Sequence, residues 1–168
     1  MKILVAVDGS AYTKRMLAYL AAHDEWLGPA QRYTIVHASA PLPSRVSRAI
    51  GRDPSERYHQ SRSDAVFKPI RTFIERQGIK AKFVAKVGTP ADVIARMIKA
   101  QKFDLLLMGS HGHGALGSLL MGSVAARVMA TCSVPVLLVR QQKRCSVRQR
   151  PALPAATPQP RPAGRFRR

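Results

Sequence analysis

Apolar positions along the chain follow two alternating patterns. Short continuous runs, at Ile3 to Val7, Tyr33 to His37, Ala81 to Val87, Leu105 to Met108 and Val134 to Val139, have strand length. The segments between most of them repeat apolar residues at helical intervals. Strands that alternate with helices in this way predict a parallel sheet covered on both faces.

The first helix is predicted to start at Ser10, whose hydroxyl can cap free amides, and to run through Met16, Leu17 and Leu20 toward His23. A second shows Val66, Ile70, Phe73, Ile74 and Gln77 before Gly78, with Pro69 marking a kink or a late start. The third has Thr89 as cap, Pro90 at its first position, Asp92 in its first turn, and Ile94, Met97 and Ile98 on one face. The fourth opens near Ser123, carries Val124, Val128 and Met129, and stops before Pro135. Residues 40–63, polar and containing Pro41, Pro43, Gly51 and Pro54, read as a long loop over the sheet edge.

Composition changes the picture at the C-terminus. Residues 141–168 hold eight basic side chains and no acid, with PALPAATPQPRPAGRFRR nearly devoid of core-forming residues. They are predicted to be a disordered, proline-rich basic tail following a single domain at residues 1–140. The formal charge is +19, so removing those eight leaves +11 on the domain, which should itself attract nucleotides, nucleic acids or anionic membranes. Cys132 and Cys145 do not form a disulfide framework. Ile3 to Val7 is shorter than the ~7 to 15 residues of a signal-peptide core, and no run approaches the ~20 apolar residues of a membrane span. Cytoplasmic residence is the expectation.

The chemistry concentrates in LLLMGSHGHGALGSLLMGS, Leu105 to Ser123. A strand ends at Met108 and Gly109, Gly112, Gly114 and Gly117 follow, before Gly122 and Ser123 open a helix. Glycine permits close approach to a ligand and positive φ, so amides can converge on an anion beside the positive end of a helix. In open parallel sheets ligands bind at the carboxyl ends of strands where the order reverses. If the first and fourth strands are neighbours, Asp8 faces the same crevice. Asp8 has two readings: a contact to ribose or magnesium, or a turn residue capping the first helix. His111 and His113 have no third ligand nearby, and bonding to phosphate or plain exposure is the expected role, with no metal site. His37 reads as a satisfied core histidine.

VAVDGS (Val5 to Ser10), VGTPADVI (Val87 to Ile94), MGSHGHGALGSLLMGSVA and CSVPVLLVR (Cys132 to Arg140) resemble the universal stress protein family over residues 1–140. Gly109, two residues, Gly112, nine residues, then Gly122 and Ser123 match its ATP-binding branch. The resemblance implies a five-stranded α/β sheet of order 3-2-1-4-5 and a homodimer formed through Val134 to Val139. It further implies that Gly109, Gly112, Gly122 and Ser123 contact phosphate and ribose, with Asp8 against the nucleoside. Ala6, Ala38 and Met108 would take adenine, and Val124 follows the serine. The implied cofactor is ATP, with or without Mg2+, held by a stress-response sensor or regulator; slow hydrolysis stays open, since no catalytic base is assigned.

Two other function classes remain in view. A basic module whose tail binds nucleic acid or another polyanion fits the charge. A nucleotide-dependent ligase or hydrolase fits less well, because the first turn, VDGSAY, lacks a Ser-Gly-Gly phosphate loop and no GxxxxGK[ST] motif is present.

Overall fold

The computed structural model describes residues 1–112 and 121–140. The expected tail at 141–168, and with it Cys145, lies outside them, as do His113, Gly114 and Gly117. Five strands, β1 (Lys2–Val7), β2 (Arg32–Ser39), β3 (Ala81–Val87), β4 (Leu105–Gly109) and β5 (Val136–Val139), pair in parallel in the order β3-β2-β1-β4-β5. The α/β fold and strand order expected above are those observed.

Both faces of the sheet are buried because successive side chains on a strand point to opposite sides. Ile3, Val5 and Val7 of β1 join Leu107 of β4 in a core with α1 (Ala11–Ala22), the one-turn α2 (Asp24–Leu27) and the long α4 (Arg52–Arg76). Leu4, Val36, Leu106 and Met108 face the other way, onto α5 (Pro90–Ala100) and α6 (Ser123–Thr131). Ser10 caps α1 as expected, accepting from the Tyr12 amide at 3.2 Å. Thr89 occupies the cap position of α5, but its side chain makes no capping hydrogen bond.

Residues 40–63 are not a loop. From Ser44 onward they form α3 (Ser44–Ile50) and, after Gly51, the first half of α4, and α4 continues through Pro69 rather than starting after it. Apolar periodicity could not show this, since that part of α4 is polar on every side. It is held by pairs four residues apart, namely Arg52 with Glu56 at 2.8 Å, Gln60 with Asp64 at 3.0 Å, and Ser63 with the His59 carbonyl at 2.9 Å. The second half, anchored by buried Phe67, Ile70 and Ile74, provides a nucleus from which these turns extend. Pro54 sits in the first turn, where an N–H would have no intrahelical acceptor, and exposed Pro69 removes one interior bond.

Buried Tyr33 donates its hydroxyl to the Leu27 carbonyl, with the Gly28 carbonyl 3.4 Å away. Burial pushes its phenol up to about 12. In the unfolded chain the group titrates near ~10, so its contribution is intact below pH ~10 and is lost as pH rises from there toward 12. Urea unfolding between about pH 9 and pH 11 should show stability falling by about 1 kcal/mol more in the parent than in Tyr33→Phe. Equal slopes would show that this phenol does not drive alkaline unfolding.

Candidate functional site

The chain leaves β1 toward α1 on one side and β4 toward α6 on the other, so the carboxyl ends of these neighbouring strands splay apart. Between them lies a cleft of about 340 Å³, within the size range of small-molecule sites. Its floor is Ala6 and Met108, paired across β1 and β4, together with Ala38 of β2. Its mouth is Asp8, Gly109 and Gly112, and then Gly122, Ser123 and Val124 at the start of α6. All nine residues singled out from the sequence therefore border one cavity.

The glycines serve a purpose different from one of those expected. None of Gly109, Gly112 and Gly122 has positive φ; the turn after β1 uses that freedom instead, at Gly9 with φ 81°. A Cβ on Gly109 would stand 2.8 Å from the Tyr12 Cβ, and one on Gly122 3.2 Å from the His111 Cα. A Cβ on Gly112 would run into the Asp8 carboxylate. These positions need hydrogen in place of a side chain because neighbouring segments pack against their α carbons.

Asp8 realises the turn reading with one oxygen while the residue itself borders the cleft. Its Oδ1 accepts from the Ser10 amide at 2.9 Å and from the Thr13 hydroxyl at 2.8 Å, and Thr13 Oγ1 accepts from the Asp8 amide at 3.1 Å. This ring of bonds fixes the carboxylate at the start of α1. The α6 start is the opposite case. Gly122 is its cap and supplies no side chain, so the amides of Ser123, Val124 and Ala125 have no intrahelical acceptor. An anion in the cleft thus meets amides that have no side-chain cap among the described residues at α6, rather than the already capped α1.

The loop is stitched to the sheet, with the Gly122 amide donating to the Ser110 carbonyl at 2.8 Å and the Ser110 amide to that of Val139 at 3.0 Å. His111 lies with Nδ1 3.0 Å from Ser110 Oγ and its ring 5.3 Å from that of Tyr12. No group of three metal-ligating side chains occurs among the described residues. His37 is buried, its Nδ1 3.0 Å from the Val7 carbonyl.

His111, for which bonding to phosphate was one expected role, lines the cleft, whereas sequence reasoning did not pick out Val7, Val36, Pro90, Ile94, Ser110 and Ala125. Pro90 and Ile94 had a usable signal, since an α5 packed over β2 must bring its first turn to the same end of the sheet. Val7 and Val36 follow from strand register, which becomes visible only once the strands are paired, and Ser110 and Ala125 from where the chain leaves β4 and enters α6.

A parallel five-stranded sheet with a cleft at its point of reversal defines the doubly wound α/β class. The universal stress protein family profile matches residues 1–140, and the chain belongs to that family. A universal stress protein of Thermus aquaticus, encoded in the QAH/OAS sulfhydrylase 3' region, is 34% identical over 142 residues, covering 82% of this chain and 97% of that one. Three solved structures share the fold. One is an Arabidopsis thaliana family member with AMP bound, with a TM-score of 0.61, 16% identity and coverage of 85% and 93%. Another is a universal stress protein in complex with cAMP, with a TM-score of 0.60, 21% identity and coverage of 83% and 96%. The third, from Archaeoglobus fulgidus in complex with dAMP, has a TM-score of 0.56, 20% identity and coverage of 82% and 96%. No helix among the described residues is long and apolar enough to cross a membrane.

Proposed function

We propose that the cleft binds an adenine nucleotide, ATP in particular, and that the protein acts in stress response as a nucleotide-dependent sensor or regulator. One observation carries this reading: the uncapped start of α6 opens into the cavity that Ala6, Ala38 and Met108 floor with small or apolar side chains. A flat base fits such a floor, and a phosphate chain meets the amides of Ser123, Val124 and Ala125. The relatives solved with AMP, cAMP and dAMP support the ligand class.

Asp8 faces the nucleoside from the opposite wall. A magnesium ion would be held chiefly by the phosphates, with Asp8 the one carboxylate among the described lining residues. The protein is read as a homodimer through β5, whose four apolar residues are only half-buried and form an open edge of the sheet.

Thermal melting tests the ligand. Free ATP at about 100 times its Kd stabilises by about 2.7 kcal/mol, a rise of roughly 5 to 10 °C for a domain of this size. GTP and CTP should give smaller shifts. Absence of any shift at millimolar ATP would remove the proposal.

A further inference from the structure

Charge is distributed unequally across the domain. Residues 44–102 carry fourteen Lys and Arg against five Asp and Glu, a net +9, while the rest of residues 1–140 carry six against four, a net +2. All fourteen cationic residues are exposed. Arg52 is the only one of them in an ion pair among the described residues.

These residues build one lateral side of the molecule. Helix α4 packs on β2 and β3 from one face, α5 lies on the other face, and β3 is the edge between them. Lys82 and Lys86 stand two intervals apart on the same side of β3. On the α4 side the Arg71 guanidinium lies 3.8 Å from the Phe83 ring centroid, which brings the helix's cations down to the strand. Basic side chains thus wrap from α4 round the edge to Arg96 and Lys99 of α5. With 25 residues, α4 spans roughly 37 Å.

Edge protection explains part of this pattern. Lysines on an open strand discourage pairing with another chain, and that suffices for Lys80, Lys82 and Lys86. It does not account for Arg45, Arg48, Arg57, Arg62 and Lys68 on α3 and α4. Solubility does not account for them either, since interspersed acids would serve it with less self-repulsion. A predominantly basic surface, tens of ångströms long and curved round an edge, matches a flexible polymer of phosphates. A flat lipid surface would touch only its rim, and a second copy would be repelled.

We infer that the β3 side of the domain, from α3 and α4 round to α5, binds the phosphate backbone of single-stranded nucleic acid without sequence preference. Guanidinium and ammonium groups replace the condensed counterions of the strand, and exposed Tyr58, next to Arg62, offers an aromatic plane to a base. None of the cations on this face lines the cleft, so it stands whether or not the cleft takes ATP. None of its cations belongs to residues 141–168.

The test uses the full chain, fluorescent poly(U) RNA and anisotropy titrations from about 50 to about 200 mM KCl. The variant Arg57→Gln, Lys68→Gln, Lys82→Gln, Lys86→Gln keeps polarity at four exposed positions outside the cleft. Single strands lose about 0.7 in the slope of log K against log salt per phosphate contact, so the slope should fall by about 2 to 3. Affinity at about 150 mM salt should drop at least tenfold, with melting temperature and nucleotide response unchanged. A companion variant with Arg161, Arg165, Arg167 and Arg168 changed to Gln should retain most of the slope. The inference is overturned if the first variant keeps the parent's slope, or if the second abolishes binding. It is equally overturned if the parent ignores RNA yet sediments with phosphatidylglycerol vesicles.

Discussion

Replacing Gly112 with valine is expected to remove most of the stabilisation by ATP. The new Cβ would be directed into the Asp8 carboxylate, which cannot swing away because the Ser10 amide and the Thr13 hydroxyl hold its Oδ1. The segment from Ser110 to Gly112 must move instead, and with it the mouth of the cleft. Affinity should fall about 100-fold or more, which turns a shift of roughly 5 to 10 °C at fixed ATP into about 1 °C. The double variant Asp8→Ala, Gly112→Val separates steric blockage from loss of a contact. Removing the carboxylate makes room for valine, so the double variant should bind better than Gly112→Val alone, a non-additivity of about 1 kcal/mol. A full shift in Gly112→Val would mean that the nucleotide does not use this mouth.

The second large effect is on stability alone. Leu107 is wholly buried in β4, next to central β1, and its side chain lies in the core shared with α1 and α4. Leu107→Ala removes three carbons, a methine and two methyls, from a layer clamped between sheet and helices. A loss of about 3 to 5 kcal/mol is expected, lowering the melting temperature by roughly 10 °C or more. Val46→Ala, at a site 43% exposed on α3, should change stability by less than about 0.5 kcal/mol. Calorimetry on the two variants checks both figures, and equal losses would contradict the assignment of the core.

The candidate cleft was more legible than the surface that surrounds it. Gly109, Gly112, Gly122 and Ser123 stand out by spacing, Asp8 by its place at the end of the first strand, and Ala6, Ala38 and Met108 came from resemblance to a family. Their meeting in one cavity depends on the β1–β4 pairing, in which Ala6 lies opposite Met108. Pro90 and Ile94 join them only because α5 packs against the adjacent strand. The glycine-rich run suggested backbone freedom, whereas the contacts of Tyr12, Asp8 and His111 show that space is what those glycines supply. The α3 segment and the first turns of α4 carried no apolar stripe. Their helix formation rests on side-chain pairs and on an anchored second half, neither of which periodicity measures.

By itself the chain's order of residues determined which segments are strands and helices wherever one face is buried, because burial of a face imposes a period of two or of about 3.6. It determined the sign of the charge, the absence of long apolar spans and the location of the glycine-rich turn. Only the tertiary structure decided which turns share a cavity, which helix start stays uncapped, and on which side fourteen exposed cations gather. Those are contacts between residues far apart in the chain, and no local pattern encodes a distance across the sheet.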